Sequence, residues 1–351
     1  MNLIKNLRVL ILSLILSYSL SARDQIKIVG SSTVYPFSSS VAEEFGATSK
    51  YPTPVVESTG SGGGMKLFCA GSGMNTPDIT NASRRIKAKE LKLCIKNGVK
   101  DITEVMIGYD GIAFAQSKSN KAFNISKKHL ALAVAKEVPN KSGKLIKNPY
   151  TNWSQIDKVL PNKEIIIYGP PKSSGTRDAF EDMVLKSTFK NMKEYTSLYK
   201  KDKNKYKAYK KYSQIRQDGV YVPSGENDNL IVSKLNKNKK AFGIFGYSFL
   251  LENDDQIEAV KVNGVFPTPK NISSGKYPIS RSMFFYIKNS HKKKVSTIDK
   301  YVKIFMSEYM IGPDGILSEI GLISLPKDKR YQIRKDVLSS KKLTLKDLTK
   351  K

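Results

Sequence analysis

Three short clusters of glycine, serine and threonine stand far apart in this 351-residue chain. They are Gly30-Ser31-Ser32-Thr33, Gly60-Ser61-Gly62-Gly63-Gly64 and Ser173-Ser174-Gly175-Thr176-Arg177. Each lies between a run patterned as strand and a run patterned as helix. A helix start leaves backbone N–H groups unpaired and carries the positive end of the helix dipole, so it suits an anion. Small residues let those amides come close, and hydroxyls add donors without bulk or charge. A tetrahedral oxyanion accepts about a dozen hydrogen bonds, more than one loop can supply.

The candidate donors are the side chains of Ser32, Thr33, Ser61, Ser174 and Thr176, with backbone N–H groups around Val34, Gly175 and Thr176. Arg84 and Arg177 would add bidentate, charge-assisted bonds. One cluster alone is an ordinary capped loop, and it is the threefold recurrence in the same setting that points to a site. For the arginines the bland alternatives are a surface charge for one of Arg84 and Arg85, and a pairing of Arg177 with Asp178 or Glu181.

Enzyme signatures are missing. No serine sits in Gly-x-Ser-x-Gly, and no Gly-x-x-x-x-Gly-Lys-Ser/Thr occurs. His129 and His291 are the only histidines, too few for His-based triads or metal sites. Asp110, Asp178, Glu226 and Asp228 are the acids nearest the candidate loops, and no pair has the setting of a catalytic dyad. A binding protein is expected, with no metal and no cofactor.

The elements around the clusters alternate strand and helix, which predicts an α/β fold with mainly parallel pairing. Ile26–Val29, Val55–Glu57 and Ile165–Tyr168 read as the strands that lead into the three clusters. Val34, Phe37, Val41 and Phe45 repeat at helical spacing, with Pro36 in the first turn where its missing N–H is harmless. Met65, Leu67 and Phe68 mark a second helix, and Phe180, Met183, Val184 and Leu185 a third. Leu230, Ile231 and Leu235 form one face of another, with Asn227 to Asn229 as its caps. Residues 103–117 read as a long extended segment broken at Tyr109-Asp110-Gly111, residues 242–250 as a strand, and residues 296–310 as one helix. Residues 186–211 read as a polar surface insertion, and residues 327–351 as a basic tail, partly helical or mobile.

The N-terminus predicts a secretory leader over residues 1–22: Lys5 and Arg8, an apolar run from Val9 to Leu16, then small residues up to Ala22. The apolar run is shorter than the roughly 20 residues a membrane span needs. Export allows Cys69 and Cys94 to pair, the alternative being two separate buried thiols. The net charge is +29, which suits anionic partners. Its lysines fall in several blocks rather than one stripe, so a nucleic-acid partner is not expected and most are a solvated surface.

Several stretches, in order and covering nearly all of the chain after the leader, resemble the PstS family of periplasmic phosphate-binding proteins, which serve the high-affinity phosphate ABC importer. They are residues 29–36 (VGSSTVYP), 57–64 (ESTGSGGG), 81–85 (NASRR), 108–114 (GYDGIAF), 173–178 (SSGTRD) and 243–247 (GIFGY). The resemblance implies a type II periplasmic-binding-protein fold, with two α/β lobes joined by a hinge that the chain crosses twice and that closes on phosphate. The expected lobes are residues 23–112 with 281–351, and residues 113–280. The crossings should lie near residues 109–115 and 277–284. By that match Ser32, Thr33 and Val34 hold phosphate at the first loop, Ser61 at the second, and Ser174, Gly175 and Thr176 at the third, with Arg177 as the cation. A membrane permease would be the partner, the periplasm the location, and a monomer the state. Sulfate, phosphonate or molybdate is the alternative ligand.

One departure bears on selectivity. Some members carry an aspartate where this chain has Arg84. A carboxylate there accepts a hydrogen bond from protonated phosphate and rejects sulfate, which has no proton to offer. Asp228 is the expected substitute, with Asp178 and Asp110 as rivals.

Overall fold

A computed structural model describes residues 23–121, 123–172, 174–193, 214–225 and 229–349. The leader, Asp228, Glu226, Asn227, Ser173 and most of the polar insertion lie outside the described residues.

Nine strands make the main sheet: β1 (Lys27–Gly30), β2 (Val55–Ser58), β3 (Ile79–Ala82), β4 (Ile102–Ser117), β5 (Ile167–Gly169), β6 (Tyr221–Pro223), β7 (Phe242–Gly246), β8 (Ile257–Ala259) and β9 (Ser280–Lys288). Their order is β2-β1-β3-β9-β4-β7-β5-β6, with β8 added on β4. β1 is parallel to both neighbours, and β5 is parallel to β7 and β6. β9 and β4 run antiparallel to their partners, as does β7 against β4.

The expected break at Tyr109-Asp110-Gly111 is not a break. β4 runs unbroken for 16 residues and changes partner there instead. It pairs with β9 from Ile102 to Gly111, then with β7 from Ile112 to Gln116. The glycine that suggested a turn serves packing: a Cβ on Gly111 would lie 2.5 Å from the Ile272 Cδ1.

Apolar residues sort into separate cores on either side of that switch. One is drawn from residues 112–279, around Phe114, Trp153 and Phe242. The others use residues 26–107 and 283–343. The molecule is therefore two α/β lobes linked by β4 and by the chain entering β9. At the link the Tyr277 hydroxyl donates to the Ile112 carbonyl at 2.8 Å, and Ile112 N–H donates to the Ile279 carbonyl at 3.0 Å.

Helix α1 (Tyr35–Thr48) carries Pro36 in its first turn and buries Phe37, Val41 and Phe45, as its spacing predicts. Phe45 packs edge-on against Tyr301, with ring centroids 5.9 Å apart. Burying one such ring stabilises the fold by about 2 kcal/mol. In α2 (Gly60–Phe68) the glycine cluster is not a loop before the helix but its first turns. Met65 and Phe68 are buried while Leu67 is exposed. Cys69, closing α2, is bonded to Cys94 in the helix Ala88–Lys96.

Two further boundaries and one helix face differ from expectation. The strand from Phe242 ends at Gly246, and a helix Tyr247–Glu252 follows, because Tyr247 and Leu250 are the buried positions, at helical spacing. The helix expected over 296–310 is two, Ile298–Phe305 and Glu308–Ile311. The Ser307 hydroxyl caps the second by accepting the Met310 N–H at 3.2 Å. In the helix Asn229–Lys237, Ile231 and Leu235 are buried but Leu230 faces solvent. The basic tail is ordered through the helix Lys327–Leu338, pinned by buried Arg330 and Val337.

Candidate functional site

The first cluster begins where β1 ends. Gly30 has φ +133°, and a Cβ there would lie 2.2 Å from the Asn81 carbonyl oxygen, so only glycine fits this turn. Ser31 N–H donates to the same carbonyl at 3.0 Å. The chain then enters α1 with Val34, fully buried, as its N-cap residue. That leaves Ser32 and Thr33 on the surface between β1 and α1.

The third cluster begins helix α3 (Gly175–Phe180), which continues as a π-helical stretch, Glu181–Lys186. Ser174 is its N-cap, its hydroxyl accepting the Thr176 N–H at 3.2 Å. Arg177 is buried behind this turn. Its Nε donates to the Glu181 carboxylate at 2.7 Å, its Nη1 donates to the Pro170 carbonyl at 3.2 Å, and its guanidinium stacks 4.7 Å from the centre of the Tyr221 ring. Burial pushes the Glu181 carboxyl up, against the pull of Arg177.

The two clusters meet across the lobes. The Thr33 hydroxyl donates to the Gly175 carbonyl at 3.1 Å, and the Ser32 hydroxyl donates to Asp178 at 3.4 Å. They form one wall of a cleft of about 730 Å³ whose lining includes Ser32, Thr33, Ser174, Gly175, Thr176 and Asp110. Tyr247 and Phe249 line it from the helix after β7, and Glu319 and Ile320 from the C-terminal part.

The second cluster contributes differently. The Ser61 hydroxyl accepts the Ser83 N–H at 3.1 Å and lies 3.2 Å from the Ser83 hydroxyl, fastening α2 to the end of β3. Ser58, three residues earlier, is part of the cleft lining. Arg84 is held in a bidentate pair with Glu90, at 2.7 and 2.9 Å, which raises its guanidinium above the ordinary range. Two of the predicted groups therefore converge, Ser32–Thr33 and Ser174–Thr176, while Ser61, Arg84 and Arg177 are engaged by neighbours beside or behind them.

Arg281 was not among the predicted residues. It stands at the start of β9, where its Nη2 donates to the Thr33 hydroxyl and its Nε donates to Asp110 at 3.3 Å. A lone cation in the apolar run from Ile279 to Ile287 was the available signal. Burial lowers its guanidinium below the usual range, and Asp110 opposes that shift. Among the described residues, no group of three or more His, Cys, Asp or Glu side chains could hold a metal ion. No helix among them is long and apolar enough to cross a membrane.

A family model for the PBP superfamily domain matches residues 18–311. This chain belongs to that superfamily. Protein SphX of Synechococcus elongatus is 31% identical over 303 residues, covering 85% of this chain and 76% of its own. The phosphate-binding protein PstS of Staphylococcus epidermidis is 30% identical over 315 residues, covering 88% and 81%. Among solved structures, that of a possible phosphate binding protein from Planctomyces limnophilus superposes with a TM-score of 0.71 at 28% identity, covering 91% of this chain and 99% of that one. PstS from Borrelia burgdorferi shares the fold, with a TM-score of 0.57 at 20% identity, covering 87% and 100%. The superfamily match and these relatives place the chain with the PstS-type proteins, and its two-lobed α/β architecture is the one they share.

Proposed function

We propose that this chain is an exported solute-binding protein that captures inorganic phosphate between its lobes and delivers it to an ABC-transporter permease. The observation that carries this reading is the meeting of Thr33 with Gly175 across the cleft. These residues are 142 positions apart, one from each of two hydroxyl-rich turns, and in this reading it is closure of the lobes that brings them together. A cleft wall to which both lobes bring hydroxyls and a helix start, Ser32 and Thr33 from one and Ser174 to Thr176 from the other, suits a small tetrahedral dianion. The relatives named PstS support phosphate over other oxyanions.

In this reading Ser32, Thr33, Ser174, Gly175 and Thr176 form the donor shell, while the buried Val34 N–H donates to the Ser31 hydroxyl at 3.4 Å and holds the first turn. Ser61 and Arg177 brace the loops that carry it. The lobes are residues 23–112 with 281–351, and residues 113–280, and they pivot at Asp110–Ile112 and at Ile279–Arg281. Binding shifts the hinge toward closure by its differential affinity for that state, and the permease recognises the closed form. No chemistry is done on the ligand. The leader directs the chain to the periplasm, where it works as a monomer, and its positive charge concentrates anions near the cleft.

Calorimetric titration of residues 23–351 with phosphate and then sulfate tests this. One saturable phosphate site per chain, with weaker sulfate binding, is expected. Absence of both binding heat and a thermal shift with phosphate would overturn it.

A further inference from the structure

The lysines fall in separate blocks along the sequence, and folding draws two of those blocks onto one small core. Met65 and Phe68 of α2, Leu91 and Cys94 of the helix Ala88–Lys96, and Leu343 of the C-terminal segment are buried together there. Leu343 N–H donates to the Ile102 carbonyl at 2.8 Å. Arg85, just ahead of the helix, donates to the Asp347 carbonyl at 2.9 Å. The basic tail therefore ends beside the start of that helix, with Lys342 and Lys346 exposed. On the helix itself Lys89, Lys92, Leu93 and Lys96 stand at i, i+3, i+4 and i+7, one outward stripe, and all four are exposed. Leu93 is 41% exposed, and Ile95 on the flank of the stripe 37%. Leu67 of α2 is 44% exposed, two residues before the Cys69–Cys94 bridge. The carboxylates of this region are engaged elsewhere. Glu90 holds Arg84, Glu104 holds Arg85, Asp336 holds Lys341, and Asp347 accepts from the Thr344 N–H and hydroxyl. Among the described residues, no salt bridge takes up Lys89, Lys92 or Lys96.

We propose that the exposed face of the helix Ala88–Lys96, with the tail that adjoins it, is a docking surface for an anionic lipid bilayer. The proposal does not depend on which ligand the cleft takes. Lysines held within a Debye length of negatively charged headgroups are each attracted to them, and three on one stripe act together. Leu93 and Ile95, set between those lysines, can enter the boundary of headgroup and acyl chain. The lysine stems lie along apolar surface while their ammonium groups stay at the level of the lipid phosphates. A soluble polyanion would satisfy the charges but has nothing to cover Leu67, Leu93 and Ile95. The arginines of this region, whose forks suit paired hydrogen bonds to nucleic-acid phosphates, are turned to Glu90 and Glu104 instead. Contact is with the membrane surface alone, since no helix among the described residues is long and apolar enough to cross it.

The test is flotation of residues 23–351, which lack the apolar leader, with vesicles of phosphatidylcholine alone and with added phosphatidylglycerol. Binding to the anionic vesicles only, falling as salt is raised, is expected. The triple variant Lys89→Gln/Lys92→Gln/Lys96→Gln should weaken it about 10- to 100-fold. The variant Lys237→Gln/Lys239→Gln/Lys240→Gln removes the same charge from the other lobe and should weaken it by less than about threefold. Leu93→Ser/Ile95→Ser should weaken vesicle binding about 3- to 10-fold and leave binding to soluble polyphosphate unchanged. Every substituted side chain is exposed, and thermal melts verify that each variant is folded. Absence of binding to anionic vesicles, or equal losses in the two lysine variants, overturns the proposal. So does tighter binding to polyphosphate than to vesicles with no effect of Leu93→Ser/Ile95→Ser, which would assign the lysines to a soluble polyanion.

Discussion

The Thr33 hydroxyl donates to the Gly175 carbonyl at 3.1 Å, and the two residues belong to opposite lobes. The approach is as close as the backbone allows. A Cβ on Gly175 would lie 2.7 Å from the Thr33 nitrogen and 2.7 Å from the Ser32 carbonyl carbon. Glycine is needed at this position for contact between lobes, since its helix could accommodate alanine.

Gly175→Ala should therefore act on closure and spare the fold. Overpacking of this kind costs about 1–3 kcal/mol, which is roughly 5- to 150-fold in an equilibrium. The expected outcome is weaker phosphate binding by calorimetry, with an unchanged melting temperature in the absence of ligand. A lowered ligand-free melting temperature would place the cost in the lobe and not in the closure.

Much of the fold was legible in the sequence, because period and punctuation agree there. Val34, Phe37, Val41 and Phe45 are all buried on α1, and the three cluster-leading strands lie within a residue or two of their expected places. Elements failed to be legible where one residue type serves two purposes. Gly111 and Gly60–Gly64 resemble loop punctuation, yet they are a packing position in a strand and the opening of a helix. Of the candidate residues, the hydroxyl turns Ser32–Thr33 and Ser174–Thr176 stand together on one cleft. The pairings of the arginines were less legible. The Arg177–Glu181 pair is four residues apart and was among the sequence alternatives, whereas the Arg281–Asp110 pair spans 171 residues and exists only because β9 lies against β4.

Glu308 joins the C-terminal helix to the body of its lobe. Hydrogen bonds from Arg330 and Arg334 hold its carboxyl at about 2, well below its ordinary range. A carboxylate depressed in the folded state stabilises above its unfolded pKa of about 4.3, and the contribution is lost as pH falls through the folded value. Wild-type stability should thus decline between about pH 4 and about pH 2 in part through this group. Glu308→Gln should flatten that part of the profile while lowering stability at pH 7. The side chain is half exposed, so the effect is modest, and thermal melts at each pH read it. Parallel pH profiles for the two proteins would remove Glu308 from the account.

The Cys69–Cys94 bond closes a loop of 25 residues that ties α2 to the helix Ala88–Lys96. In the chain-entropy model such a crosslink contributes about 3 kcal/mol. Replacing both cysteines with serine should lower the denaturation midpoint accordingly in urea. Phosphate affinity should hold, because the pair sits in the small core with Met65 and Phe68 and does not line the cleft. Reducing agent should lower the wild-type midpoint and leave the double-serine variant where it is.

Gly64 and Gly62 have different surroundings within the second cluster. A Cβ there would come 2.5 Å from the Gly30 Cα and 2.7 Å from the Thr80 hydroxyl, whereas Gly62 faces open space. The neighbours of Gly64 are the backbone of β1 and a buried side chain of β3, so neither can move aside cheaply. Gly64→Ala should destabilise the lobe by about 1–3 kcal/mol through overpacking. Gly62→Ala lies within the helix without a clash and should be neutral or stabilising by up to about 1 kcal/mol, since alanine is the better helix former. Urea unfolding of the two variants side by side decides the matter. Equal effects would mean that the cluster is conformational punctuation, while a loss confined to Gly64→Ala makes it the seat on which α2 rests against β1.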